Sequence, residues 1–182
     1  MQEKIEFKVT SNRDVDIMNP KDFEKIDHVH MDLTNSKLDE SKFFEIFDRL
    51  AETKQNRKFH LDLTKVDLDE KKVNRIVNCF ENWSELTNLH LHARDLKLDD
   101  QEFEKLLNKG ISKLQNLTKI HIALQNVNMN TAKLTSLHNL VKTLPKLVQV
   151  KFNLNKENLT QKEIQSIEEI IKNKPMNEII WS

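Results

Sequence analysis

The sequence predicts an α/β solenoid: a curved parallel sheet on one side and helices on the other, with about five full repeats plus partial units at the ends. Three observations predict it. An alternating apolar phrase recurs at residues 29–33, 59–63, 89–93, 120–124 and 150–154, its first residues 30, 30, 31 and 30 apart. Each phrase is followed by a second apolar anchor (Leu38, Leu68, Leu98, Met129, Leu159) and then directly by Asp39, Asp69, Asp99, Asn130 or Thr160. All five are good helix N-caps, whose side-chain oxygens satisfy free N–H groups of a first turn. After each cap, apolar residues return at i, i+3, i+4 and i+7, the mark of a one-sided helix.

The phrase at residues 86–98, LTNLHLHARDLKL, shows the logic of one unit. Side chains alternate along a strand, so Leu89 and Leu91 share one face and His90 and His92 the other. Leu96 and Leu98 turn back to the interior. A truncated phrase, Ile179-Ile180-Trp181, begins 29 residues after Val150, and residues 5–9 read as a preceding strand, 24 residues before Val29.

The helical stripes are Phe43, Ile46, Phe47 and Leu50; Val73, Ile76, Val77 and Phe80; Phe103, Leu106 and Leu107; Leu134, Leu137, Leu140, Val141 and Leu144; and Ile164, Ile167, Ile170 and Ile171. Asp99 with Glu102, and Thr160 with Glu163, have capping-box spacing. Gly110, the single glycine, is expected to close the third helix in a left-handed conformation and to absorb the extra residue of the 31-residue repeat. Residues 10–27 do not fit the repeat. Asn19-Pro20 reads as a cap with proline at the first helical position, opening a short helix through Phe23 and Ile26. Residues 1–27 are therefore read as an N-terminal cap and 28–182 as the array, together one domain.

Neither a strand nor a helix of one repeat can bury its apolar face alone. Parallel pairing of successive strands, each crossover carrying a helix, buries both. A Leu, Ile or Phe so buried contributes about 1.5–3 kcal/mol, enough to offset ordering entropy only where neighbouring repeats cover it.

The pattern L-x-L-x-L-x-x-x-x-L followed by a helix resembles leucine-rich repeats, and the repeat length resembles the long, ribonuclease-inhibitor-like type. The resemblance covers residues 28–182. It implies the curved solenoid and a binding role, and it leaves the partner open. The asparagine or cysteine that the family often carries just after the strand is replaced by Thr34, Thr64, Arg94, Gln125 and Asn155. The family's asparagine ladder is therefore absent, which predicts irregular turns.

Composition limits function. The 29 basic residues balance 29 acidic ones, so no global field attracts nucleic acid or an anionic membrane. No apolar run approaches the ~18 residues of a membrane span, and the N-terminus shows neither a secretory signal nor a transit peptide. Cys79 alone permits no internal disulfide and fits a reducing compartment, which points to the cytoplasm. One glycine is too few for phosphate-cradling loops, dinucleotide turns or a nucleophile elbow. Cys79 beside Phe80 reads as a small buried residue.

Four histidines, His30, His60, His90 and His121, share one repeat position, and Asp32, Asp62, His92 and Ala123 share the next outward-facing one. Imidazole and carboxylate columns side by side are zinc-ligand chemistry; the plainer reading is a polar face that contacts a partner. Trp181 ends the array at a core-facing position with no polar cap after it, a second place for docking.

These residues predict a non-enzymatic protein–protein interaction module, an adaptor or subunit of a larger assembly, with no cofactor. Its expected partner-binding residues, on the strand-lined concave face, are His30, Asp32, His60, Asp62, His90, His92, His121, Lys151 and Asn153. The alternatives are a structural subunit docking through its ends at Trp181, and a metal-binding or hydrolytic site on the histidine column. The Lys- and Asn-rich, glycine-poor composition resembles that of protist proteins from AT-rich genomes, with a cytoskeletal or ciliary assembly as a candidate setting.

Overall fold

The computed structural model describes residues 4–19, 26–53, 56–157, 159–172 and 174–181. Seven strands form one parallel sheet in strict chain order: β1 (Lys4–Lys8), β2 (His28–Asp32), β3 (Lys58–Asp62), β4 (Asn88–His92), β5 (Lys119–Leu124), β6 (Gln149–Leu154) and β7 (Met176–Trp181). Between them run α1 (Asn12–Ile17), α2 (Glu40–Ala51), α3 (Glu70–Phe80), α4 (Asp100–Glu104), α5 (Thr131–Thr143) and α6 (Gln161–Lys172). Each strand pairs only with its neighbours in sequence, which is the solenoid of stacked strand–helix units.

The register follows the repeat. Val29 pairs with Phe59, Phe59 with Leu89, Leu89 with Ile120 and Ile120 with Val150. These residues, with Met31, Leu61, Leu91, Ile122 and Phe152, are fully buried. The helical stripes meet them from the other side, and Phe43, Phe47, Phe80, Phe103 and Trp83 are among the largest fully buried side chains. The Trp83 indole N–H donates to the Leu50 carbonyl at 3.0 Å, and its ring lies edge-on to Phe59 at 4.4 Å, tying one repeat to the next. Cys79 is buried, and burial pushes its thiol well above the ordinary range.

The caps form as expected. Asp39, Asp69, Asp99 and Asn130 accept from the backbone N–H of Lys42, Lys72, Glu102 and Lys133 at 2.8–3.0 Å. Glu102 and Glu163 accept in return from the N–H of Asp99 and Thr160, completing both capping boxes.

Three expectations are corrected, and a fourth falls largely outside the described residues. The turns after the strands are regular. Asn35, Lys65, Asp95 and Asn126 all take φ of 55–60°, and the N–H groups of Asn35, Lys65 and Asp95 donate to the carbonyls of Thr64, Arg94 and Gln125 in the next repeat. A backbone ladder replaces the side-chain one.

Gly110 is not left-handed: its φ is −95° and ψ −80°. The extra residue is instead absorbed by a π-helical turn, Lys105–Gly110, which continues α4 and leads into a 3-10 turn, Ile111–Lys113. Glycine is favoured there by close approach, since a Cβ would lie 3.0 Å from Val77 Cγ2 and 3.3 Å from Phe80 Cδ2.

The last strand starts earlier, and its register is two residues further along than the 29-residue spacing implies. Val150 pairs with Asn177, and Phe152 with Ile179. A slip of two keeps the same side chains on the same face, so Ile179 and Trp181 remain core-facing.

At the N-terminus, a helix forms at Asn12–Ile17, where Asp14 accepts from the N–H groups of Thr10 and Ser11 at 2.8 Å. The helix expected after Asn19-Pro20 falls largely on residues 20–25, outside those described. Ile26, at its expected end, is buried and non-helical.

Candidate functional site

Alternation that buries the leucines turns the other half of every strand outward, onto the sheet face that carries no helix among the described residues. Register then aligns equivalent residues. One row across this face reads Glu6, His30, His60, His90, His121, Lys151, Glu178. The row beside it reads Lys8, Asp32, Asp62, His92, Ala123, Asn153, Ile180. The nine sequence-predicted residues all lie in these two rows.

The imidazoles touch. His30 and His60 stack at 4.0 Å with planes 8° apart. His60 also meets His92 edge-on at 4.5 Å and His90 at 5.7 Å, and His121 packs 5.4 Å from both His90 and His92. The row ends in charge: Glu6 Oε1 lies 3.4 Å from His30 Nδ1, and Lys151 Nζ lies 2.8 Å from Glu178 Oε2.

Crowding favours neutral rings. Burial, reinforced by His30, His92 and His90, pushes His60 down to about 3. Burial, with His90, His92 and Lys151, pushes His121 down to about 4. His90 is lowered chiefly by partial desolvation among the same rings, although it is the most open of the four.

Asp62 sits at the turn of its strand. Its Oδ1 accepts from the Thr64 N–H at 2.9 Å, the same arrangement that Asp32 makes with Thr34. Oδ2 is thereby aimed at His92 Nδ1, 3.4 Å away. Burial alone would raise this carboxyl; the His92 and Thr64 hydrogen bonds outweigh burial and hold it well below the usual range. His60 Nε2 lies 3.3 Å from that same His92 Nδ1. Among the described residues, His60, Asp62 and His92 are the one group of three that could hold a metal ion, their donor atoms within 4.8 Å of one another.

Not every predicted residue is offered to solvent. Asn153 is 8% exposed, flanked in its row by Ala123 and Ile180, with its side chain against His121. It is the least exposed of the nine residues. Trp181 is half-buried and packs on the core. With Ile171, Ile179 and the polar face of α6 it lines a cleft of ≈ 630 Å³ at the C-terminal end; Met176 and Ile180, which alternate with these residues along β7, are exposed and take no part in its lining.

Sequence reasoning saw the two rows but not which residues converge across them. The signal was the replacement of the aspartate of Asp32 and Asp62 by His92 in the next repeat, which sets an imidazole beside a carboxylate in register.

No family model matches the chain, and no curated protein matches it. Among solved structures, a Caenorhabditis elegans tropomodulin C-terminal domain is similar in fold: TM-score 0.55, 10% identity, 95% of this chain and 84% of that one covered. A Paramecium bursaria Chlorella virus arginine decarboxylase matches at 9% identity over 98% of this chain and 51% of its own, with a TM-score of 0.31 that carries no argument. The first likeness is one of fold: the chain is a leucine-rich-repeat-type α/β solenoid.

Proposed function

We propose that this chain is a non-enzymatic protein-interaction module of the long, ribonuclease-inhibitor-like repeat type, an adaptor or subunit of a larger cytoplasmic assembly. Partner docking is on the strand-lined face through His30, Asp32, His60, Asp62, His90, His92, His121 and Lys151. One observation carries the reading: the two outward rows are held in register by seven paired strands, across a face that no helix of the described residues covers. A surface so ordered before binding loses little conformational entropy on docking. The opposite surface is different. The helices' outer sides are spanned by exposed pairs such as Lys71–Glu40 and Lys105–Glu70, which bind successive repeats to each other.

No helix of the described residues is long and apolar enough to cross a membrane. The balanced charge argues against nucleic acid as the partner. A cytoskeletal or ciliary assembly remains the candidate setting, on composition.

The test is affinity purification of wild type, of His60→Ala/His90→Ala, and of Trp181→Ala, each shown folded by circular dichroism. Loss of the same partners from the histidine variant alone supports face docking. Loss from Trp181→Ala alone transfers the function to the C-terminal end. That reading has its own observation, the cleft that Trp181 lines with Ile179 and Ile171 at the C-terminal end.

A further inference from the structure

We propose that His60, Asp62 and His92 form a zinc site, with His60 Nε2, His92 Nδ1 and Asp62 Oδ2 as the protein ligands and a fourth position open to the uncovered sheet face. The site stands independently of partner docking.

Zinc bonds of 2.0–2.1 Å to nitrogen and oxygen place tetrahedral ligand atoms about 3.3–3.4 Å apart. His60 Nε2 to His92 Nδ1 is 3.3 Å, and His92 Nδ1 to Asp62 Oδ2 is 3.4 Å. Two of the triangle's edges already have the required length. The third is within 4.8 Å and closes by side-chain rotation.

The convergence is also poorly served by hydrogen alone. His92 Nδ1 carries at most one proton, yet it faces an imidazole nitrogen and a carboxylate oxygen at nearly equal distance. A single cation among the three atoms satisfies all of them at once.

The ligands are held from behind, as working metal sites require. The Thr64 N–H fixes Asp62 through Oδ1, leaving Oδ2 to the site. The stacked ring of His30 fixes His60, and His121 packs against His92. All three donors come from two adjoining strands paired in register.

The donor set selects the metal class. Two imidazoles and one carboxylate suit zinc and its late first-row neighbours; calcium and magnesium prefer all-oxygen shells. His92 and Asp62 keep 19% and 21% side-chain exposure. A water, or a side chain of a docked protein, can therefore reach the fourth position.

The test titrates chelator-stripped protein at pH 7.5 with zinc against a chromogenic competitor, and separately with cobalt. The expected result is one zinc per chain and, for cobalt, the visible absorption of a four-coordinate site. His60→Gln, Asp62→Asn and His92→Gln should each weaken zinc binding at least tenfold, while His28→Gln and His138→Gln leave it unchanged. Wild-type protein that takes up no stoichiometric zinc overturns the site, as does equal binding by the three ligand variants. Should a ligand variant fail to fold, the wild-type cobalt spectrum and the rise in melting temperature on adding zinc decide the matter alone. An octahedral cobalt spectrum or no rise counts against the site.

Discussion

Gly110→Ala tests how the 31-residue repeat is accommodated. The glycine sits at the end of the π-helical turn with α3 packed against it, and it is buried. An added Cβ meets Val77 Cγ2 at 3.0 Å and Phe80 Cδ2 at 3.3 Å, against an ordinary carbon–carbon contact of about 3.8 Å. Relief needs movement of several tenths of an ångström by Val77, whose Cα is itself only 3.6 Å away. Overpacking of this kind costs about 1–3 kcal/mol. Alanine returns up to about 1 kcal/mol through lower unfolded-state entropy and better helix propensity, since the φ of −95° is open to it. The expected net is a loss of about 1–2 kcal/mol, or roughly 2–8 °C in melting temperature for a chain of this size.

Urea titration followed by circular dichroism measures it. Val77→Ala supplies the second arm. Alone it leaves a cavity; with Gly110→Ala the new methyl enters the space vacated. The pair should therefore be more stable than the sum of the singles by about 1 kcal/mol or more. If Gly110→Ala is neutral or stabilising, or if the two changes simply add, close approach is not why glycine stands there.

In chelator-treated protein, stability should fall as pH drops from 7.5 to 5.0. His60 and His121 stay neutral in the fold at about 3 and 4, whereas both protonate near 6.5 when unfolded, so the unfolded state binds more protons. Each could account for about 2 kcal/mol at pH 5, halved here for solvent at the open face to about 2 kcal/mol together; His60→Gln/His121→Gln should flatten the profile, as read by urea midpoints. Trp83→Phe should cost about 1–2 kcal/mol through lost volume rather than a stranded acceptor, because Thr53 N–H and Oγ–H still serve the Leu50 carbonyl; thermal melts check it. Lys65→Asn should stabilise by a few tenths of a kcal/mol, since asparagine tolerates the φ of 58° better than lysine; a lower urea midpoint would contradict this.

The strands, the helical stripes and the caps were legible because each is written as a period, and the period repeats. Leu89 and Leu91 need only alternation to be placed; Asp69 needs only its position before a 3.6-residue stripe. The turns were not legible from Thr34, Thr64, Arg94 and Gln125, because the left-handed position that shapes each turn is the next residue. There Asn35, Asp95 and Asn126, three of four, are residue types that accept the left-handed region. The β7 register was not legible, because a two-residue slip leaves the in–out pattern of Ile179 and Trp181 unchanged. For the site, the rows were visible as shared repeat positions. The approach of His60 to His92 was not, because a diagonal contact depends on side-chain rotation that no sequence period encodes. The burial of Asn153 was not read either, although Ala123 and Ile180 flank it in its row.

Register imposes a physical problem that the choice of histidine solves. Parallel stacking sets equivalent residues about 4.8 Å apart whether or not they suit one another. Four lysines or four aspartates in that row would repel on every strand, and like charges in register destabilise a sheet. Histidine can be polar and uncharged together, so His30 and His60 stack face to face at 4.0 Å. Charge enters only where a counter-charge is at hand: Glu6 beside His30, Lys151 with Glu178. The neighbouring row shows the same constraint from the acidic side. Asp32 and Asp62 pair in register, each with an oxygen bound by the following threonine's N–H, and the row then switches to His92. That switch ends a growing line of negative charge, and by ending it places an imidazole between Asp62 and His60. The feature that keeps the sheet electrostatically tolerable is thus the same one that assembles the three donor atoms.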